Sequence, residues 1–284
     1  MTRPIPGTGN GGDPFRRRLA MARAMTKTRP ERPRSTTPSA AGLPSPGGAA
    51  LYAAYHDDLG GFETHRAAMA WIEPGARVVD VGCSTGFFAR HLVEEKGCRV
   101  IGIERDARAA AEARKACERV YVGNLEDPTF LEAIDSQGDV IFFGDVLEHL
   151  GDPRPVLLRA HEWLTSGGFL ICSVPNVAYW KIRFELLRGR FEYQDVGILD
   201  RTHLRFYTRK SFERLIGEVG YRIVEVSPVC SDRDPLGFRL PRPERPPSRV
   251  GAALALRWPG LFATQYLFRA LPVQPREREG VRSA

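Results

Sequence analysis

The sequence of 284 residues contains no apolar run of about 18 residues, the length that a membrane-crossing helix needs. Its N-terminal region lacks the apolar segment of about 7 to 15 residues that is typical of a secretory signal. The five cysteines are scattered and show no C-x-x-C spacing, which argues against a disulfide framework or a thiolate zinc site: Cys83, Cys98, Cys117, Cys172 and Cys230. These absences favour a cytoplasmic protein.

The net charge of +7 comes entirely from the first fifty residues. The first fifty residues carry nine of the 41 Lys and Arg and two of the 34 Asp and Glu, so 32 residues of each sign remain in residues 51–284. Because residues 1–50 are rich in Pro, Gly, Ser and Thr, we expect them to form a disordered basic arm. A transit peptide, or a later start at Met21 or Met25, is the alternative. The neutral remainder gives no charge-based indication of a nucleic-acid partner.

Residues 77–86 combine an apolar strand, a glycine turn and the start of a helix. The apolar run Val78-Val79-Asp80-Val81 is typical of a strand that is covered on both faces of a parallel sheet. Gly82 and Gly86 allow the backbone to turn sharply and to approach a ligand closely, and amides at the following helix N-terminus can hold a polar or anionic group. The segment therefore predicts a nucleotide-type cofactor site.

A second apolar strand, residues 99–104, ends in Glu104, 22 positions after Gly82. An acid at about this distance from a glycine turn accepts hydrogen bonds from ribose hydroxyls in dinucleotide folds. Two other interpretations of the turn stay open. Gly82-Cys83-Ser84-Thr85-Gly86 also satisfies the G-x-S-x-G pattern of hydrolases, although no oxyanion loop precedes it. An NAD enzyme would use Glu104 equally well, but the turn lacks the third glycine of G-x-G-x-x-G.

Strand and helix patterns alternate along the chain after a helical lead-in over residues 51–72. This alternation predicts an α/β fold with a parallel sheet. Helices are expected at residues 107–117, 129–134, 153–164 and 208–219, with Ser166-Gly167-Gly168 ending the third of them. Strands are expected at residues 77–81, 99–104, 119–122, 140–143, 169–174, 221–226 and 263–270.

These segments resemble the class I S-adenosylmethionine-dependent methyltransferases over about residues 51–270. Residues 78–86 look like their first motif, with Ser84 where glycine is more usual. Residues 121–125 resemble the adenine-side loop, and residues 139–150 resemble the loop that faces both cofactor and acceptor. The resemblance implies one domain over residues 51–284 with a Rossmann-like, doubly wound sheet. It further implies seven strands, mostly parallel, with the last strand antiparallel.

The resemblance also implies which residues bind S-adenosylmethionine. They are Asp80, Gly82, Cys83, Ser84, Gly86, Glu104, Asn124, Leu125 and Asp145. The thiol of Cys83 is interpreted as a small buried group rather than as a nucleophile.

Residues 177–207, called the insertion below, interrupt the alternation with aromatic side chains among basic ones. They follow the fifth strand, at the edge where open α/β sheets bind ligands, which predicts a substrate lid. Tyr179, Tyr193 and Arg201 are the candidate acceptor-binding residues. For Phe184 and Leu187 we favour the alternative, an amphipathic helix that packs its apolar side chains into the core.

Asp145, Glu148 and His149 form a D-x-x-E-H segment after the fourth strand, and His203 lies in the insertion. Two carboxylates and imidazoles suit Mg, Mn or Zn, so these four residues are candidate ligands of a divalent metal. The segment is similar to E-x-x-E-H in the ubiquinone-pathway O-methyltransferases. With His203 it also resembles the metal-dependent small-RNA 2′-O-methyltransferases. The alternative is a metal-free site in which His149 or His203 acts as the catalytic base beside Asp145.

The expected function is S-adenosylmethionine-dependent O-methylation of a small-molecule hydroxyl, on a sugar or a natural-product intermediate. Carbon or nitrogen methylation fits the same scaffold. An RNA methyltransferase and a non-catalytic cofactor-binding partner protein are further alternatives. No pattern in the sequence indicates the oligomeric state.

Overall fold

The computed structural model describes residues 62–230, 253–254 and 256–273. The predicted basic arm and residues 51–61 of the predicted lead-in lie outside the described residues. In the described part of the chain no helix is long and apolar enough to cross a membrane. The cytoplasmic location stays a prediction.

A seven-stranded sheet in the order β3-β2-β1-β4-β5-β7-β6 forms the centre of the fold. Strands β1 to β5 are parallel, and β7 runs antiparallel to both of its neighbours, β5 and β6. This arrangement confirms the predicted Rossmann-like sheet and the antiparallel entry of the last strand. The strands are β1 (Arg77–Val81), β2 (Arg99–Glu104), β3 (Arg119–Val122), β4 (Gly138–Gly144), β5 (Leu164–Pro175), β6 (Tyr221–Val229) and β7 (Gln265–Pro272).

Helices cover both faces of the sheet, because alternate residues of each central strand point to opposite sides. Val79 and Val81 belong to one buried apolar cluster with residues of α4, α5 and α7, whereas Val78 belongs to the other with residues of α1, α2 and α3. The helices are α1 (Phe62–Met69), α2 (Phe87–Lys96), α3 (Ala107–Ala113), α4 (Pro128–Glu132), α5 (Arg154–Trp163), α6 (Trp180–Leu187), α7 (Arg209–Glu218) and α8 (Pro259–Phe262). The sheet is therefore doubly wound, as expected.

Side-chain caps start the helices where the sequence placed them. The Asp106 carboxylate accepts hydrogen bonds from the backbone amides of Arg108 and Ala109, at 2.8 and 2.9 Å. Thr208 forms a reciprocal capping box with Ser211 at the start of α7. Each cap satisfies backbone donors that the first helical turn leaves unpaired.

Two predicted boundaries were wrong by four or more residues. Helix α3 ends at Ala113 rather than at residue 117, and β5 begins at Leu164, so the triplet Ser166-Gly167-Gly168 lies inside the strand. The register of β4 against β5 shifts between Gly138 and Val140, and Gly167 adopts a positive φ of 82°. A bulge of this kind accommodates glycines that would otherwise end the strand.

The insertion leaves the sheet at the end of β5 and contains α6. Tyr179, Ile182 and Leu199 form a small buried cluster of its own. Phe184 and Leu187 are 48% and 86% exposed, so the expectation that they pack into the core was wrong. The buried side of α6 is provided by Ile182 instead.

Close packing behind the glycine turn gives a first prediction. A Cβ atom at Gly102 would lie 2.6 Å from Sγ of Cys83 and 3.3 Å from Sγ of Cys117. We expect Gly102→Ala to lower the free energy of unfolding by about 1–3 kcal/mol, measured by urea denaturation, because overpacking a core strains it. Adding Cys83→Ala to the variant should restore part of the loss.

The control for this prediction is Gly217→Ala. Gly217 lies within α7, and apart from its chain neighbours and the backbone of its own helix no described atom lies within 4 Å of the position that its Cβ would take. Alanine favours a helix over glycine by up to about 1 kcal/mol, so this variant should be at least as stable as the wild type. Equal effects of the two substitutions would contradict the packing explanation.

Candidate functional site

The candidate site lies at the edge of the sheet where β1, β2, β4 and β5 end, called the carboxyl edge below. Strand β1 pairs with β2 on one side and with β4 on the other. After β1 the chain continues toward β2, whereas after β4 it continues toward β5 on the other side of the sheet. The loops after β1 and β4 therefore diverge, and a crevice opens above β1. The loops that follow these strands carry the residues predicted from the sequence.

The turn after β1 has the left-handed backbone conformation that the motif predicts. Gly82 and Gly86 have φ of 76°, and Ser84 adopts φ of 48° although it carries a side chain. A Cβ at Gly82 would collide with Cγ2 of Val146, which belongs to the loop after β4. The absence of a side chain at Gly82 thus brings the two loops that flank the crevice into direct contact.

Glu104 is held at the end of β2 by two backbone amides. Its Oε2 accepts a hydrogen bond from the Ser84 amide at 2.9 Å, and its Oε1 accepts one from the Asp106 amide at 2.8 Å. Each carboxylate oxygen can accept more than one hydrogen bond, so capacity for two ribose hydroxyls remains.

Asp80 and Cys83 lie beneath the turn rather than on its surface. Oδ2 of Asp80 is buried and has no hydrogen-bond partner among the described residues. Burial, followed by the nearby charge of Glu104, raises the pKa of Asp80 to about 7. A hydrogen bond with Cys117 and burial raise the pKa of the Cys83 thiol, which leaves it protonated. The side chains of these two residues support the turn from below.

The loop after β3 contains Asn124 and Leu125. Oδ1 of Asn124 accepts a hydrogen bond from the Glu126 amide at 3.1 Å and thereby forms a local turn. Leu125 is half-buried and packs against the core. The structure places both residues at the carboxyl edge beyond β2, and their contact with adenine stays a prediction.

Asp145 is the first residue after β4 and adopts an uncommon positive φ of 54°. Its amide donates to Oγ of Ser173 at 3.0 Å, and the same hydroxyl donates to Oδ1 of Asp145 at 2.8 Å. Nε2 of Gln265 also donates to Oδ1. No local pattern in the sequence could have identified Ser173 or Gln265 as partners of Asp145, since they are 28 and 120 positions away.

Three of the four predicted metal ligands come together. Ligand atoms of Glu148, His149 and His203 all lie within 4.8 Å of one another. Asp145, the fourth predicted ligand, is not part of this cluster. The physical reason is that its left-handed backbone and its bonds to Ser173 and Gln265 direct the carboxylate elsewhere.

Backbone contacts bring His203 to the loop after β4. The carbonyl oxygen of Glu148 accepts hydrogen bonds from the amides of Leu204 and Arg205, at 2.8 and 3.0 Å. The rings of His149 and His203 then lie 4.8 Å apart, centroid to centroid. Residues 54 positions apart in sequence therefore share one site.

Hydrogen bonds to backbone carbonyls determine the tautomers of both histidines. Nδ1 of His203 lies 3.0 Å from the carbonyl oxygen of Ile198, and Nδ1 of His149 lies 3.3 Å from that of Thr202. Because a carbonyl only accepts, each neutral ring carries its proton on Nδ1 and its lone pair on Nε2. Histidines that bind metals show this arrangement.

The electrostatics of the cluster favour a bound cation. The Glu148 side chain is 1% exposed, and neither carboxylate oxygen has a hydrogen-bond partner among the described residues. Burial, together with the charges of Asp145 and Asp200, raises the pKa of Glu148 well above its usual value. Burial and the neighbouring His203 lower the pKa of His149. A buried carboxyl group that lacks a hydrogen-bond partner among the described residues, together with two imidazole rings, is a set of ligands that a bound cation would satisfy.

The insertion supplies an aromatic surface beside the cluster. Phe206 lies 6.3 Å from His203, and Phe191 and Tyr193 lie 5.6 and 6.3 Å from Phe206, between ring centroids. Tyr193 is 53% exposed. Phe191 and Phe206 belong to the aromatic pattern of the insertion, but nothing in that pattern distinguished them as site residues.

The other two predicted acceptor-binding residues have different surroundings. Tyr179 is buried in the small cluster with Ile182 and Leu199. Arg201 forms an exposed ion pair with Asp195 at 2.7 Å. Of the three candidates, Tyr193 is the one that the structure places in the aromatic surface.

Comparison with known proteins decides the family. A family model described as "Methyltransferase domain" matches residues 60–226, which is more than half of the chain. The chain belongs to this family. It is a class I S-adenosylmethionine-dependent methyltransferase, as the resemblance implied.

Two curated methyltransferases match the central part of the chain. The ubiquinone biosynthesis O-methyltransferase of Cereibacter sphaeroides (strain KD131 / KCTC 12085) is 31% identical over 105 residues, which are 36% of this chain and 42% of that enzyme. Phosphoethanolamine N-methyltransferase 1 of Zea mays is 29% identical over 105 residues, 36% of this chain and 21% of that enzyme. This methyltransferase thus aligns with less than half the length of either relative.

A solved structure shows the same fold. A Haloferax volcanii methyltransferase in complex with the Trm112 methyltransferase activator is 17% identical and has a TM-score of 0.55. The match covers 80% of this methyltransferase and 98% of that chain.

The environment of Asp80 predicts how stability depends on pH. The folded protein keeps a proton on Asp80 up to about pH 7, whereas the unfolded chain releases it near pH 3.8. The folded state therefore binds more protons in this interval, and its free energy of unfolding should fall as the pH rises through it. Asp80→Asn should show a smaller fall, measured by urea denaturation between about pH 4 and pH 8.

The matched control is Glu94→Gln, an exposed carboxyl on α2. It should reproduce the pH dependence of the wild type. If Asp80→Asn also does so, Asp80 is ionised in the folded protein and the argument from burial is wrong.

Proposed function

We propose that this methyltransferase transfers the methyl group of S-adenosylmethionine to a hydroxyl of a small, ring-bearing acceptor, such as a sugar or a natural-product intermediate. We further propose that a divalent cation held by Glu148, His149 and His203 assists the transfer. The observation that carries the proposal is the buried Glu148 carboxyl, which has no hydrogen-bond partner among the described residues and lies within 4.8 Å of a ring nitrogen of His149 and of His203.

The proposed cofactor orientation follows from the order of the strands. Glu104 at the end of β2 would hold the ribose, and Asn124 and Leu125 after β3 would contact the adenine. Since β4 lies on the other side of β1, the sulfonium end of the cofactor would extend over Gly82 toward Asp145. The backbone of residues 82–86 would approach the cofactor between these ends.

Methyl transfer from a sulfonium is an in-line displacement, so positioning of the acceptor oxygen provides much of the rate. A hydroxyl is a poor nucleophile until it loses its proton, and a bound Mg, Mn or Zn ion would lower the pKa of that hydroxyl. The protein would hold the ion with one Glu148 oxygen and the Nε2 atoms of the two histidines. The carbonyls of Ile198 and Thr202 would keep both rings in the ligand orientation.

In a metal-free version of the same proposal, His149 acts as the base. Its lowered pKa keeps the ring neutral near pH 7, and a neutral ring can accept a proton from a hydroxyl. Thr202 would orient this base, because its hydroxyl donates to Asp200 at 2.7 Å and accepts from His149. Removal of metal separates the two versions.

The acceptor would rest against Phe191, Tyr193 and Phe206. Their rings form an edge-to-face series that ends at His203, so a ring stacked on this surface would direct a substituent toward the cluster. Tyr179 would support the insertion from within, and Arg201 would contribute only after exchanging its ion pair with Asp195.

Nitrogen methylation is the second candidate, favoured by the alignment with the Zea mays N-methyltransferase. An amine acceptor that has lost its proton needs no metal or base, so this reaction would not require the Glu148–His149–His203 cluster. Carbon methylation and RNA methylation find no comparable support in the described residues.

The metal proposal predicts the behaviour of ligand variants. We expect Mn²⁺ to bind the full-length wild type in calorimetric titration, and Glu148→Gln and His203→Ala each to weaken this binding by at least about 10- to 100-fold. The same variants should lower methyl transfer to a hydroxyl acceptor. His91→Ala is the control, because His91 lies on α2, where it pairs with Glu95.

Transfer that survives exhaustive chelation and is not raised by added Mg, Mn or Zn would contradict the metal version. In that case His149→Gln combined with His203→Gln should lower the chemical step by about 10²- to 10⁴-fold if a histidine is the base. Near-normal turnover of this double variant would exclude both versions.

A further inference from the structure

We propose that Gln265 is a positioning residue, which orients the Asp145 carboxylate toward the cationic sulfonium of S-adenosylmethionine. The inference rests on the cofactor orientation proposed above. It does not depend on the metal or on the acceptor.

The antiparallel direction of β7 delivers Gln265 to the site. Gln265 is the first residue of β7 and pairs with Pro175, the last residue of β5. In a parallel strand the first residue would lie at the opposite edge of the sheet. Gln265 therefore lies at the carboxyl edge although it begins its strand.

A chain of hydrogen bonds determines the orientation of the Gln265 amide. The buried hydroxyl of Thr64, on α1, donates to Oε1 of Gln265 at 2.6 Å. Because a carboxylate only accepts, the amide group that faces Asp145 must be the NH₂ group, and the amide oxygen is then the group that accepts from Thr64. Nε2 then donates to Oδ1 of Asp145.

Two donors occupy the same oxygen of Asp145. Oγ of Ser173 donates to Oδ1 at 2.8 Å and also accepts from the Asp145 amide at 3.0 Å. Among the described residues no hydrogen bond engages Oδ2. The network thus determines which oxygen Asp145 presents to the crevice, and it holds the residue at the positive φ that few side-chain-bearing residues adopt.

The charge of the cofactor explains the use of such a network. Glu104 would hold the ribose on the β2 side of the turn, so the sulfonium faces the β4 side, where Asp145 begins the loop. A fixed carboxylate stabilises a nearby cation without having to reorganise when the cation arrives. S-adenosylhomocysteine lacks the methyl group and the positive charge of the sulfur, so it gains little from this contact.

The test compares the two nucleosides with the full-length protein by calorimetric titration, in buffer that contains a chelator. Gln265→Ala should weaken S-adenosylmethionine binding by about tenfold, the effect of losing one oriented charge contact. It should weaken S-adenosylhomocysteine binding by less than about threefold. Thr64→Val, which removes only the group that orients the amide, should give a smaller loss in the same direction.

The control is Gln137→Ala. Gln137 donates to the carbonyl oxygen of Glu162 at 3.0 Å, near the start of β4 and away from the carboxyl edge. It should bind both nucleosides as the wild type does. Thr64→Val provides the same comparison of nucleosides if Gln265→Ala does not fold.

Equal losses for the two nucleosides, or no loss for either, would overturn the inference and leave Gln265 with a structural role alone. A wild-type protein that binds neither nucleoside would overturn the cofactor orientation itself. If methyl transfer proves independent of metal in the preceding experiments, the inference about Gln265 is unaffected, since the titrations contain a chelator and no free divalent ion.

Discussion

The parallel pairing of β1 with β2 on one side and with β4 on the other determines where Gly82, Glu104 and Asp145 lie. Hydrogen bonds between these strands place the residue after each strand at the same edge, within reach of one ligand. The apolar residues of β1 pack on both faces and hold it in the centre of the sheet. Gly82 then lets the loops after β1 and β4 touch. The position of the candidate site thus follows from the order of the strands and from the absence of a side chain at Gly82.

A second level of organisation depends on contacts between segments that are distant in sequence. The carbonyl of Glu148 accepts hydrogen bonds from the end of the insertion and brings His203 to His149. Gln265 reaches Asp145 from the antiparallel strand. Both contacts place polar or ionisable groups at the same edge of the sheet. Burying the Glu148 carboxyl is unfavourable without a partner, and natural proteins tolerate such groups mainly at functional sites.

Local patterns in the sequence were sufficient for the strands, the helix caps and the glycine turn, because short-range rules govern them. The helices that Asp106 and Thr208 cap begin where they were predicted. The first part of β5, which contains Ser166-Gly167-Gly168, was missed because pairing with β4 outweighs the local preference of glycine for turns. The position of Asp145 outside the cluster of Glu148, His149 and His203 was also missed, since Ser173 and Gln265 determine it from 28 and 120 residues away.

The most direct test of the central claim is calorimetric titration of S-adenosylhomocysteine into the wild type, Glu104→Ala and Glu118→Ala. Glu118 is the matched control, since it pairs with Arg99 at the start of β2, away from the crevice. If the cofactor lies across β1, the wild type and Glu118→Ala should bind with equal, micromolar affinity, and Glu104→Ala should bind about 10- to 100-fold more weakly, because two charge-assisted hydrogen bonds are lost. Unchanged affinity in Glu104→Ala would contradict the account.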